Sequence, residues 1–147
     1  MKQYYSYKNF LQDTKELIKE VKFFNPEAIL SIARGGFTLS HAMAEGLNIR
    51  DLQSVRTELY DGRCKREELK LFGHCHFGVK RVLVVDDIAD SGETLAFIMN
   101  YLEENFPAVE FKSATLFYKK TSIYEPDFWI NEANNWIEFF WEKDFTL

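Results

Sequence analysis

Between residues 8 and 24 the apolar positions Phe10, Leu11, Leu17, Ile18 and Val21 recur near one face at helical spacing, with charged residues opposite. That pattern predicts an amphipathic opening helix. Asn25-Pro26 ends it, because the residue before a proline is pushed out of helical geometry. The pattern then becomes a nearly unbroken apolar run, Ala28-Ile29-Leu30-Ser31-Ile32-Ala33, cut off at Arg34-Gly35-Gly36. It reads as a strand feeding a tight turn. Residues 37–47 return to helical spacing, and 53–60 read as a strand. The mostly charged stretch Asp61-Gly62-Arg63-Cys64-Lys65-Arg66-Glu67-Glu68 reads as an exposed loop, and the whole of 60–72 is expected to move.

The clearest segment begins at Arg81. Val82-Leu83-Val84-Val85 are four apolar β-formers without polar alternation, as suits a strand buried on both faces. A turn over 86–94 follows, then Leu95, Ile98, Met99 and Leu102 at helical spacing up to Phe106-Pro107, then a strand at 111–118. The tail from 126 to 147 is aromatic and has no clear period. Strands alternating with helices predict an α/β fold with a mainly parallel central sheet. Such sheets bind ligands at the carboxyl ends of their strands, where both Arg34-Gly35-Gly36 and the acidic turn fall.

Composition narrows the classes. At 147 residues the chain reads as a single domain, 1–147, large enough for a real core. A formal charge of −5 provides no basic field for nucleic acid. No stretch approaches the ~18 apolar residues of a membrane span, and two cysteines cannot build a disulfide scaffold, so a cytoplasmic setting is expected. In His74-Cys75-His76 the alternating histidines would point one way on a strand, but with Cys64 they still lack a fourth zinc ligand, and the stretch reads as a surface turn.

Chemistry concentrates in Asp86-Asp87-Ile88-Ala89-Asp90-Ser91-Gly92-Glu93-Thr94. The buried strand delivers Asp86 and Asp87 to the sheet edge, and Asp90 opens a loop running into a helix. The backbone N–H groups of Ser91, Gly92, Glu93 and Thr94, with two hydroxyls, make an anion cradle. Carboxylates suited to sugar hydroxyls or a metal thus sit beside a phosphate nest, and a sugar phosphate satisfies both.

Val82–Thr94 resembles the thirteen-residue phosphoribosyl-pyrophosphate (PRPP) signature of the type I phosphoribosyltransferases, and Ala33-Arg34-Gly35-Gly36 is similar to that family's pyrophosphate loop, with a non-proline cis peptide expected at Ala33-Arg34. Asp90 matches the purine-N7 aspartate of the 6-oxopurine enzymes. Leu116-Phe117-Tyr118-Lys119 resembles the segment whose lysine reads purine O6, with Lys120 an open alternative. Trp136-Ile137-Glu138 before Trp141-Glu142 resembles the bacterial xanthine-guanine branch, in which Trp136 would stack on the base and the Ile137 carbonyl would meet its edge.

The resemblance implies a Mg²⁺-dependent enzyme of purine salvage. It would join guanine, xanthine or hypoxanthine to PRPP, with a small base-binding hood at approximately 120–147. Asp90 would be the catalytic acid/base. Arg34, Gly35 and Gly36 would hold pyrophosphate, and Asp86 and Asp87 the ribose hydroxyls. Ser91 to Thr94 would hold the 5′-phosphate, and Asp87 with Glu142 the metal. A homo-dimer or homo-tetramer is expected. Glu142 stands where that branch has Asp, Leu59-Tyr60 where the family's loop has Ser-Tyr, Glu93 where Gly or Lys is usual, and Phe139-Phe140 where a more polar, proline-containing pair is found. The alternatives are a PRPP-fold sensor and a transferase for another base.

Overall fold

The computed structural model describes residues 1–61 and 67–147. Its elements run β1 (Lys2–Tyr5), α1 (Tyr7–Val21), β2 (Ala28–Ile32), α2 (Phe37–Leu47), β3 (Leu52–Asp61), β4 (Glu67–Phe72), β5 (Arg81–Val85), β6 (Ile88–Ala89), α3 (Glu93–Asn105), β7 (Glu110–Tyr118), β8 (Phe128–Glu132), β9 (Trp136–Phe139) and α4 (Phe140–Lys143). The expected α/β class and mainly parallel sheet are present. Strands β3, β2, β5 and β7 pair in parallel in that order, β4 adds antiparallel to β3, and β8 adds parallel to the far side of β7.

Alternation along the central strands explains the layers. Ala28, Leu30, Val82 and Val84 face α3, where Leu95, Ile98, Met99 and Leu102 close one core. Ile29, Leu83 and Val85 face the other way, onto Phe10, Leu17 and Val21 of α1 and Leu39 and Met43 of α2. Both faces of β2 and β5 are therefore covered, which is why neither strand alternates with polar residues.

Three expectations need correction. The opening helix stops at Val21, and Leu11 is exposed while Thr14 is buried. The charged stretch is not simply a loop, because Glu67–Phe72 forms a ladder with Arg56–Asp61, from Asp61 opposite Glu67 to Arg56 opposite Phe72. Solvated hairpin arms tolerate charge, so composition alone mistook strand for loop. Residues 62–66, Cys64 among them, lie outside the described residues. Finally, the tail is not irregular: it holds β8, β9 and α4, and β9 pairs in parallel with β1 as a separate two-stranded sheet. No described helix is long and apolar enough to cross a membrane.

Candidate active site

Strand β5 ends at Val85, yet its line does not. Val85 faces Ala114 and, three residues on, Ile88 faces Phe117, so β6 resumes the same register along β7. Asp86 and Asp87 occupy the interruption. The ladder is kept through the backbone: Asp86 N–H donates to Ala114 O at 3.2 Å, and Leu116 N–H donates to Asp87 O at 3.0 Å. Two carboxyl groups are thus fixed at the centre of the sheet's carboxyl edge without breaking it.

Both are half-buried and both resist ionisation. Burial pushes Asp86 well above the usual carboxylate range, and the neighbouring charge of Asp87 adds to this. Asp87 is pushed up to about 6, chiefly by burial and also by the negative charge of Glu142, against hydrogen bonds that favour its charged form. One such bond comes from Ile88 N–H to Asp87 Oδ1 at 2.8 Å. Asp86 Oδ1 accepts from Asp87 N–H at 2.8 Å.

The turn after β2 closes against this carboxylate. The Ala33–Arg34 peptide is cis, as expected. A Cβ on Gly35 would lie 2.5 Å from Asp87 Oδ2, and one on Gly36 would lie 2.6 Å from Val85 O, so glycine is what lets the two loops touch. Gly36 donates its N–H to Ile32 O at 2.9 Å, so that donor is spent inside the turn.

Beyond the strand, Ser91 and Gly92 lead into α3. Gly92 is left-handed, with φ +83°, and caps the helix; Glu93 N–H donates to Ser91 Oγ at 3.3 Å, and Thr94 N–H falls in the first turn, where an α-helix lacks intrahelical partners for its donors. Residues 119–124 back this turn: Lys119 N–H donates to Ala89 O at 3.0 Å and Ile123 N–H to Ser91 O at 2.9 Å.

A cleft of about 430 Å³ opens between the sheet edge and the β1–β9 hood. Of the residues singled out from sequence, Asp87, Asp90, Lys119, Trp136, Ile137 and Glu142 line it. Lys119 Nζ lies 3.6 Å from Asp90 Oδ1, whereas Lys120 turns away to Glu132 at 3.6 Å. Trp136, on the hood, lines the same cleft and is 67% exposed, with ring surface available to a flat ligand. Arg34, Gly35, Gly36, Asp86 and Ser91 to Thr94 lie outside this cleft, in the adjoining loops. Sequence reasoning missed Met1, Ile88, Asn134 and Asn135, which also line it. The asparagines directly precede Trp136 and could have been found there; Met1 arrives only through the β1–β9 pairing.

Among the described residues no three His, Cys, Asp or Glu side chains gather as a metal site. Asp87 and Glu142 nevertheless line one cleft, and the charge of Glu142 opposes that of Asp87. Two carboxylates fit Mg²⁺, which typically takes one or two from the protein and the rest from water and substrate phosphates. Glu142 Oε1 also accepts from Phe139 N–H at 3.3 Å, which anchors it at the start of α4.

Most other aromatics of the tail pack, although Phe139 also lines the cleft and Phe145 is exposed. Phe139 and Trp141 stack at 4.5 Å, Phe140 meets Tyr7 and Phe10, and Trp129 lies on Tyr118.

The phosphoribosyl transferase domain description matches residues 1–144. A structure titled Helicobacter pylori xanthine-guanine-hypoxanthine phosphoribosyltransferase superposes with a TM-score of 0.89 at 35% identity, over 98% of this chain and 96% of that one. A purine phosphoribosyltransferase from Pyrococcus horikoshii has a TM-score of 0.89 at 27% identity, over 99% and 97%. In sequence, the xanthine-guanine phosphoribosyltransferase of Idiomarina loihiensis is 28% identical over 120 residues, 79% of this chain and 71% of that protein.

Proposed function

The chain belongs to the phosphoribosyl transferase domain family, and on that footing we propose that it is a purine-salvage enzyme, converting a 6-oxopurine and PRPP to the nucleoside 5′-monophosphate and pyrophosphate. The observation that carries this reading is the Lys119–Asp90 pair sharing one cleft with Trp136 at the carboxyl end of β5 and β7. An ammonium and a carboxylate side by side complement the O6 and N7 edge of a 6-oxopurine. Trp136 supplies the stacking wall.

In the reaction the purine N9 attacks C1′ of the ribose, and the C1′–O bond breaks with its electron pair leaving on pyrophosphate. Asp90 takes the proton from N7 as N9 becomes bonded, typically a contribution of about 10²–10⁴-fold. Lys119 donates to O6 and offsets the charge that gathers there. Adenine would set its amino donor against the ammonium, leaving a hydrogen bond unmade. Asp86 and Asp87 hold the ribose hydroxyls, Ser91 to Thr94 hold the 5′-phosphate, and donors of the Arg34-Gly35 turn face pyrophosphate, with Gly36 shaping that turn. Asp87 and Glu142 would hold Mg²⁺, which lends positive charge to the leaving group when bound. A cytoplasmic setting and a homo-dimer or homo-tetramer belong to the same proposal, and light scattering decides the assembly.

The test offers guanine, xanthine, hypoxanthine and adenine separately with PRPP and Mg²⁺, using the unaltered chain and Asp90→Asn. Turnover of 6-oxopurines but not adenine is expected, reduced at least ~100-fold in Asp90→Asn. PRPP binding without turnover of any base would overturn the reading in favour of a sensor.

A further inference from the structure

We infer that Asp13 is a positioning residue for the cleft: it ties hood strand β1 to sheet strand β7 through Tyr5 and Asn131. It thereby sets the separation of Trp136 from Asp90 and Lys119. The inference rests on the purine reading of that cleft.

The hood forms its own two-stranded sheet, and its β9 side is tied to β7 through β8, whose ladder reaches Glu132, and through Ala133 N–H, which donates to Tyr118 O at 2.9 Å. Apolar packing holds it on: the Tyr5 ring meets Phe117 edge-on at 5.1 Å and Phe139 at 5.6 Å, and Ile137 and Phe139 are buried. Such packing is strong but non-directional.

On the β1 side, direction comes from three hydrogen bonds that meet at α1 and β8. Tyr5 Oη donates to Asp13 Oδ2 at 2.6 Å, and Asn131 Nδ2 donates to the same oxygen at 2.8 Å. Asn131 Nδ2 also donates to Leu116 O at 3.2 Å. The two ends of this chain of bonds are close to the chemistry. Leu116 lies on β7, three residues before Lys119, which follows the end of that strand. Tyr5 faces Phe139, three residues after Trp136. Burial and Asp13 hold the Tyr5 phenol protonated, as the donor role requires. A side chain on the helix outside the cleft therefore joins its two walls.

The test compares Tyr5→Phe, which keeps the ring and loses only the donor, with Asp13→Ala and Asp13→Asn. Tyr5→Phe is expected to raise KM for the purine ~3–10-fold, the effect of losing one hydrogen bond. Asp13→Ala raises it further, and Asp13→Asn, which keeps an acceptor oxygen, recovers part of the loss. KM for PRPP and kcat stay within about twofold. Amide hydrogen exchange in the ligand-free chain speeds up at 136–139 and stays unchanged at 82–85. A lower melting temperature with purine KM and exchange at 136–139 unchanged would overturn the inference, as would an equal rise in both KM values. If the unaltered chain turns over no purine, the proposed function fails, while exchange at 136–139 still decides whether Asp13 holds the hood.

Discussion

Asp87 answers to two opposing demands. It lines the cleft beside Glu142, where a charged carboxylate would serve a metal, yet burial and that same neighbour disfavour its charge. Its carboxyl titrates at about 6 in the folded chain against an ordinary 3.8. Between those values the folded state keeps a proton that the unfolded chain has lost. Stability therefore falls as pH rises through this window, and the full cost is present above about pH 6. Asp87→Asn removes the cost along with the function. At pH 8 calorimetry should find the melting temperature raised by roughly 3–8 °C, and by less than ~1 °C at pH 4, with turnover lost at both. At this scale the position of the acidic turn was legible, because a buried apolar run leads straight into it at the sheet's carboxyl edge. The choice between Lys119 and Lys120 was not. Adjacent residues just past a strand end diverge, and it takes the pairing of Lys119 with Asp90 and of Lys120 with Glu132 to separate them.

Among the elements, the turn into α3 depends on what stands behind it. A Cβ on Gly92 would lie 2.8 Å from Tyr124 N, at a φ of +83° that other residues rarely adopt. Gly92→Ala should cost ~1–3 kcal/mol in a denaturant titration and raise KM for PRPP at least severalfold more than KM for the purine, measured by initial rates. The strand–turn–helix around this glycine could be read from sequence because its signals are local: an apolar run, a glycine, then helical spacing. β1 and β9 could not. Lys-Gln-Tyr-Tyr and Trp-Ile-Glu-Phe are four residues each, too short for a period, and each is a strand only because the other lies beside it. β4 failed for a different reason, its charged start being typical of loops as well as of solvated ladders.

Taken whole, the molecule divides binding between a rigid sheet edge and a hood fastened to it from the side. The proposed Mg²⁺ should follow the same division. If Asp87 and Glu142 hold Mg²⁺ as proposed, an ion that arrives with substrate phosphates would contribute nothing to the empty fold. Chelation by EDTA is expected to shift the melting temperature of the free chain by less than ~1 °C yet stop turnover, with added Mg²⁺ restoring it. A drop of many degrees would mean that the metal is structural.

The pairing of β1 with β9 also sets an order in time. As the chain leaves the ribosome, β2, β3, β5 and β7 can find one another once residue 118 has emerged, and the turn at 86–94 forms with them. Through all of that, β1 waits. Its partner begins at Trp136, so the contact that closes the hood spans nearly the whole length of the chain. Until it forms, Tyr5 has no Phe139 to pack on, and one wall of the cleft does not exist. A growing chain thus acquires its sugar-phosphate half first, and purine binding is the last competence to arrive.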